Sequence, residues 1–254
     1  MKADMVFVNG RNFLRGEYEY LLHSFKEAFS HSSLSIERAF ENVDKYRVLV
    51  ESGKDDISIS NTIAINKIVN NSDDDIQDWF KKTNNDLFGA PFIPTDKEAV
   101  PTEIQKLFND YKNNFGIDIK DPWDPNITYD ERIERTRKIF EKEAIFHIWF
   151  ERIHPFQDGN GRTGRIILNH NLIQNKLAPV LITGVMSDDY KEYINNNDVD
   201  GLAKFLFSSS SQQATNWTSL VMTGLKVNKT NINPKNEKLA QIGRFEQYIK
   251  VLKK

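Results

Sequence analysis

The sequence predicts a mainly α-helical protein of 254 residues. Residues 131–153 are rich in Glu, Arg, Lys and Ala and contain neither Gly nor Pro, which is typical of a long helix. Helix-forming stretches dominate the rest of the chain, and no internal repeat is evident. Residues 16–31 place four large apolar side chains at helical spacing: Tyr20, Leu21, Phe25 and Phe29.

The N-terminal third is predicted to consist of short helices separated by polar loops. Serines follow the first helix and supply the N-cap of a second one. Polar clusters at residues 53–56 and 70–75 predict loops. The segment between them predicts a short helix that contains Ile63, Ile65 and Ile68.

Residues 84–94 interrupt the helical pattern, because turn residues lie there between apolar flanks. This composition is typical of a β-hairpin or an extended segment. Near the C-terminal end, Ser208–Ser211 resembles a linker, but the apolar stripe around it favours a continuous helix. The remaining helices are predicted over residues 101–114, 130–153, 161–176 and 199–221.

The segment His154–Arg165 has an unusual composition, with a histidine, an aspartate, an asparagine, three glycines and two arginines. Its glycines let successive backbone N–H groups turn inward and form a concave anion-binding nest, which would enclose Asn160. The pattern becomes helical after Gly161, so the nest would lie at a helix N-terminus, where partial positive charge favours phosphate.

The charged side chains of this segment suit a nucleoside triphosphate. Arg162 and Arg165 are three residues apart, so a helix would place both on one face, where each can bind a phosphate bidentately. Asp158 supplies a carboxylate for Mg²⁺, which binds phosphates through one or two protein carboxylates and water. His154 remains as the candidate base.

Two other interpretations of the same residues are weaker. The GNGRTG core matches the dinucleotide fingerprint G-x-G-x-x-G, but that fingerprint follows a strand, whereas residues 131–153 predict a helix. The sequence contains no Walker-type phosphate loop. His147 and His170 could join Asp158 in a metal cluster, but their spacing fits no common ligand motif.

Residues His154–Arg165 match the signature H-P-F-x-[DE]-G-N-G-R-x-x-R at every defined position. The sequence therefore resembles the Fic (filamentation-induced-by-cAMP) family, with a looser likeness from about Phe88 to about Phe207. The resemblance implies a Fic-type helical core with a short β-hairpin flap next to the active site. It also implies a protein adenylyltransferase, which transfers AMP from ATP to a Tyr, Ser or Thr hydroxyl of a target protein.

The resemblance implies a role for each residue of the motif. His154 would take the proton from the target hydroxyl, Phe156 would pack inward, and Asp158 would bind Mg²⁺. Asn160, with neighbouring N–H groups, would stabilise charge on the α-phosphate. Arg162 and Arg165 would bind the β- and γ-phosphates. Tyr190 and Asn195 would contact adenine, although their positions also suit a surface turn and helix. The implied nucleotide-binding residues are Gly159, Asn160, Gly161, Arg162, Gly164, Arg165, Tyr190 and Asn195.

Two further segments resemble functional elements of the family. Ser33-Leu-Ser-Ile-Glu37 resembles the inhibitory helix [ST]-x-x-x-E, although Arg38 follows where the family has Gly or Asn. The resemblance implies that Glu37 pairs with Arg165 and keeps the γ-phosphate of ATP from its productive position. The segment that aligns with the flap, which docks the target as an added strand, comprises Gly89, Ala90, Pro91 and Phe92.

Composition sets limits on other functions. A net charge of −2 and a pI near 6.2 give no electrostatic footprint for nucleic acid. The lack of cysteine excludes disulfides and suits a reducing compartment. Neither a signal peptide nor a membrane span is recognisable, so we expect a cytoplasmic protein with no membrane partner. We predict an N-terminal helical region (1–83), a Fic core (84–221) and a C-terminal extension (222–254).

Other functions remain open at this stage. Relatives within the family transfer UMP, phosphocholine or phosphate in place of AMP. The chain could also be a non-catalytic, nucleotide-sensing regulator, or one half of a toxin–antitoxin pair. Family members often form dimers and some modify themselves, so the resemblance also leaves homo-oligomerisation and self-modification open.

Overall fold

The computed structural model describes residues 5–8, 11–14, 58–70, 72, 79–87, 90–178, 180, 182 and 186–212. Two short strands form an antiparallel hairpin, β1 (Met5–Val8) and β2 (Arg11–Leu14). The helices are α1 (Ile59–Asn70), α2 (Val100–Lys112), α3 (Tyr129–Ile153), α4 (Asn160–Gln174), α5 (Ser187–Asn196) and α6 (199–212), with a 3₁₀ turn at Asn114–Gly116.

The long helix α3 is the centre of the described fold. Thr128 and Glu131 form a reciprocal capping box at its start, which satisfies backbone N–H groups that have no partner inside the helix. One stripe of α3, which includes Phe146 and Phe150, packs against α1, α2 and α4. A second stripe packs against α5, α6 and the far side of α4 and includes Ile148. A helix buried on two faces must lie inside the molecule.

The helical predictions agree with the described residues to within a few positions. Helices α1 to α4 correspond to predicted helices, and α6 runs through Ser208–Ser211 as the apolar stripe indicated. Helix α5 and the β1–β2 hairpin were not predicted. Among the described residues, no helix is both long and apolar enough to span a bilayer.

Some predictions fall on residues that the structure does not describe. These are the helix over 16–31, the inhibitory segment Ser33–Glu37 and the C-terminal extension. The proposed domain boundaries therefore stay predictions. The flap hairpin is not confirmed either: residues 84–87 and 90–96, the described part of this segment, contain no strand.

Candidate active site

His154 terminates α3 in the left-handed conformation, with φ 51° and ψ 62°. Its backbone N–H donates to the carbonyl of Phe150 at 3.0 Å. The helix cannot continue because Pro155 has no N–H and disfavours helical geometry in the preceding residue. The sequence Ile-His-Pro thus turns the chain sharply, and the imidazole lies at the start of the motif loop.

The imidazole of His154 is oriented by the helix that it terminates. Nδ1 lies 3.3 Å from the carbonyl oxygen of Glu151. A carbonyl can only accept, so Nδ1 carries the proton and Nε2 keeps a lone pair. Burial lowers the pKa of His154, an effect that the nearby Lys81 charge adds to and that the Glu151 carbonyl and Asp158 oppose. The ring is therefore neutral at pH 7 and can accept a proton at Nε2.

The motif loop is closed by the side chain of Asn160. Its Oδ1 accepts from the backbone N–H of Phe156 at 2.8 Å, and its Nδ2 donates to the carbonyl of the same residue at 2.8 Å. Asn160 and Phe156 are both almost completely buried. The Phe156 ring packs near Phe80 and Phe150, so it lies inward as predicted. Asn160 thus has a clear structural function, and its contact with phosphate stays a prediction.

Gly159 joins the loop to α4 with φ +77°, a conformation that favours glycine. A Cβ at this position would lie 2.8 Å from Oδ1 of Asn70. The first helical hydrogen bond of α4 follows at once, from the N–H of Thr163 to the Gly159 carbonyl at 2.9 Å. The motif therefore does begin a helix, whose first N–H groups have no partner within it.

Arg162 is held between the loop and the C-terminal end of α1. Its guanidinium donates to the carboxylate of Asp158 at 3.0 Å, to the carbonyl of Val69 at 3.2 Å and to the side chain of Asn70 at 3.2 Å. The Asp158 side chain is 80% exposed, and its other oxygen accepts from the N–H of Gly159 at 2.6 Å.

Two asparagines of α1 contact the loop and were missed by sequence reasoning. Nδ2 of Asn66 donates to the Asp158 carbonyl and to the Thr163 hydroxyl, both at 3.0 Å. Nδ2 of Asn70 donates to the same carbonyl at 3.2 Å. One signal was available, since Thr62 and Asn66 have the spacing of the inhibitory motif, with an amide in place of the glutamate.

Arg165 lies against a different set of residues from Arg162. It interacts electrostatically with the buried carboxylate of Glu151 and with the hydroxyl of Tyr190. Burial raises the pKa of Glu151 to about 7, against the opposing effect of Arg165. The Tyr190 hydroxyl lies 2.5 Å from Nε2 of His147, whose pKa falls to about 3, chiefly through burial. The two arginines thus have separate partners.

The residues predicted to contact adenine lie on α5. Tyr190 is buried beneath α4 and not on the surface, and its hydroxyl contacts the buried His147. Asn195 is half-buried, and its carbonyl accepts from Arg152 at 3.2 Å. Their contact with a nucleotide stays a prediction.

The residues present fit magnesium only together with a phosphate ligand. Within the described residues, no three or more His, Cys, Asp or Glu side chains converge on one point. Asp158 offers a single exposed carboxylate beside the N-terminus of α4. This suits Mg²⁺, which keeps water and phosphate oxygens as most of its ligands.

The segment predicted as the flap lies beside the C-terminal end of α3. The N–H of Thr95 donates to the Arg152 carbonyl at 3.3 Å, and the Arg152 guanidinium lies 4.4 Å from the ring centre of Phe92. Phe92 therefore packs inward, whereas Ile93 is 94% exposed. Ala90 and Pro91 belong to the described residues and Gly89 does not.

Comparisons with known proteins agree with this architecture. Residues 56–172 match the sequence model of the Fic/DOC family. Residues 56–172 are therefore similar to the Fic domain. The matched residues include α1 and the motif but not Ser33–Glu37, so the inhibitory resemblance stays a prediction.

Proteins that match part of this chain are named protein adenylyltransferases. A "probable protein adenylyltransferase" of Aquifex aeolicus is 37% identical over 101 residues, which are 40% of this chain and 25% of the relative. The protein adenylyltransferase fic-1 of Caenorhabditis elegans is 24% identical over 158 residues, which are 62% of this chain and 27% of the relative. The match thus spans about a quarter of each relative.

Solved structures show the same fold. A Fic domain containing signaling protein from Bacteroides thetaiotaomicron superposes with a TM-score of 0.57 at 16% identity, covering 86% of this chain and 92% of that one. A fragment of Fic-1 from Caenorhabditis elegans gives a TM-score of 0.56 at 17% identity, covering 82% and 64%.

Proposed function

We propose that this chain transfers AMP from ATP to a Tyr, Ser or Thr hydroxyl of a target protein. One observation carries the proposal: the neutral imidazole of His154, with its Nε2 lone pair, lies at the loop that begins α4 and carries Arg162 and Arg165. A base, a helix N-terminus and two guanidinium groups are what transfer to a hydroxyl requires. The names of the relatives support AMP as the transferred group.

In the proposed reaction, the target oxygen forms a bond to the α-phosphorus while the bond from that phosphorus to the bridging oxygen breaks. Pyrophosphate leaves with the bonding electrons, and the hydroxyl proton moves to Nε2 of His154. The first N–H groups of α4 would stabilise the charge on the α-phosphate, and Arg162 and Arg165 would bind the outer phosphates. Mg²⁺ held by Asp158 would neutralise part of the phosphate charge.

The target would approach along residues 89–92, which precede the exposed Ile93. We propose that this flap adds the backbone of the target as a strand and brings its hydroxyl to His154. Self-modification would use the same site. Autoinhibition by Glu37 is part of the proposal, and Glu37→Gly should raise the rate of transfer at limiting ATP.

The test is transfer of label from ATP into protein. ATP labelled at the α-phosphate should label the protein itself or proteins of a cell extract, whereas γ-labelled ATP should not. His154→Ala should lower the transfer rate by about two to four orders of magnitude while ATP still binds. His170→Gln serves as the matched control, since His170 lies about 15 Å along α4 from Asn160.

The same experiment separates the alternatives. Incorporation of γ-label would indicate phosphoryl transfer, and labelling by UTP alone would indicate transfer of UMP. ATP binding without label in any protein would favour a nucleotide-sensing regulator. Unchanged α-label transfer by His154→Ala would reject the proposed base.

A further inference from the structure

Lys81 binds the backbone on both sides of His154. Its N–H donates to the carbonyl of Pro155 at 2.9 Å, and its ammonium nitrogen lies 3.4 Å from the carbonyl of Ile153. The residue is almost completely buried, with 3% of its surface exposed. A lysine is rarely buried to this extent, because its charge must then be satisfied inside the protein.

The residue between these two carbonyls has a backbone conformation that needs support. His154 is left-handed, which residues other than glycine adopt rarely. Local sequence ends α3 here, but the direction of the imidazole depends on keeping the carbonyls of Ile153 and Pro155 in place. Lys81, from the segment over residues 79–87, is bound to both.

We propose that Lys81 is a positioning residue for His154, fixing the backbone on both sides of it and presenting a positive charge to its imidazole. The inference rests on the proposed function, in which His154 accepts the proton of the target hydroxyl. Because Lys81 is buried, it would itself touch neither nucleotide nor target.

The charged groups around the imidazole have opposite effects. The ammonium of Lys81 disfavours a protonated imidazole, and the carboxylate of Asp158 favours it. Helix α3 contributes the carbonyl of Glu151, and α1 contributes neutral amides to the loop. Burial lowers the pKa of Lys81 and Asp96 raises it, so the carboxylate helps to keep the lysine charged. Lys81 therefore helps to keep His154 in the form that can act as a base.

The test compares Lys81→Met with Lys81→Arg. Methionine keeps the length and apolar body of the side chain but loses the charge, whereas arginine keeps the charge. In Lys81→Met we expect the His154 pKa, measured by NMR titration of the imidazole, to rise by roughly half a pH unit or more. The acid limb of the pH profile of kcat should shift upward equally, with the KM for ATP unchanged. Lys81→Arg should restore the wild-type limb.

The titration and the transfer assay can fail separately. A folded Lys81→Met protein whose His154 titrates as in the wild type would overturn the proposal for Lys81, whatever the activity. Lack of transfer by the wild type would instead reject the proposed function and leave the titration to decide on Lys81. If circular dichroism shows Lys81→Met to be unfolded, a wild-type His154 pKa at or above the ordinary value of about 6.5 would overturn the proposal.

Discussion

Replacing Asn160 by alanine tests how the motif loop is held. The substitution removes both side-chain bonds to the backbone of Phe156, each 2.8 Å long and buried. A buried backbone group left without a partner costs about 1–3 kcal/mol, so the loss of two such bonds in Asn160→Ala should lower the free energy of unfolding by about 2–6 kcal/mol. Water entering the loop would place the value near the lower end.

The same helix provides a matched control. Oδ1 of Asn169 accepts from the N–H of Val180 at 2.7 Å, and its Nδ2 donates to the Val180 carbonyl at 3.1 Å. Asn169→Ala therefore removes the same pair of bonds from α4, but away from His154. The two variants should lose similar stability, whereas Asn160→Ala alone should change the loop.

The assays are urea unfolding followed by circular dichroism and the initial rate of α-label transfer, measured where both variants remain folded. We expect Asn160→Ala to transfer about a hundredfold more slowly than the wild type, as for loss of a group that stabilises transition-state charge. The transfer rate of Asn169→Ala should stay within a fewfold of the wild-type rate. Equal rates for the two variants would refute a specific role of Asn160 at the site. An unchanged urea midpoint for Asn160→Ala would refute its role in closing the loop.

Three further predictions follow from the same geometry. Gly116→Ala should lower the free energy of unfolding by about 1 kcal/mol, because the φ of Gly116 is +76° and a Cβ there would have no atom within 4 Å. Gly159→Ala should lower it by more, because the Cβ would collide with side chains of α1. Equal losses of stability in urea unfolding would contradict this packing. Burial raises the pKa of Glu143 to about 7, above its ordinary value of 4.5. The folded protein therefore holds this proton more tightly than the unfolded chain. The resulting stabilisation is complete below pH 4.5 and is lost as the pH rises through 7. Glu143→Gln should remove up to roughly 3 kcal/mol of this decline, while the decline due to Glu151 and the opposing rise due to His147 and His154 should remain. Identical stability–pH curves for the variant and the wild type would reject the role of Glu143. Asp158→Ala should abolish the effect of Mg²⁺ on ATP affinity in calorimetry, with little change in stability because the side chain is 80% exposed; an undiminished Mg²⁺ effect would contradict the metal role.

The sequence predicted the helices that have strong local signals. Helix α3 has no glycine or proline to interrupt it and begins with a capping box, so its bounds were nearly correct. Helix α5 was missed because only Tyr190 and Ile194 are buried on it, and its remaining residues are mostly polar. The β1–β2 hairpin was missed although Asn9 and Gly10, a pair that favours two-residue hairpin loops, separate its strands.

The loop that carries the candidate site was predictable from the sequence, but the partners of its side chains were not. Glycine spacing and the residues after Gly161 indicated a loop that begins a helix, and α4 does begin at Asn160. Local sequence does not show the contacts of Asn66 and Lys81, because these residues lie more than 70 positions before the motif; of the two, Asn66 alone has a motif-like spacing, to Thr62. Local sequence determines which element forms, whereas such contacts depend on how distant elements pack.

The two arginines of the motif lie near carboxylates of opposite accessibility, which bears on how the site would accept a triphosphate. The pair of Arg162 and Asp158 is exposed on the aspartate side, and such pairs contribute about 0–1 kcal/mol. A phosphate can replace this carboxylate, because it binds guanidinium bidentately. Glu151, in contrast, is buried beside Arg165 and cannot move into solvent when a ligand arrives. In the proposed function, Arg162 therefore exchanges partners on nucleotide binding, whereas Arg165 stays beside Glu151 while it binds the phosphate.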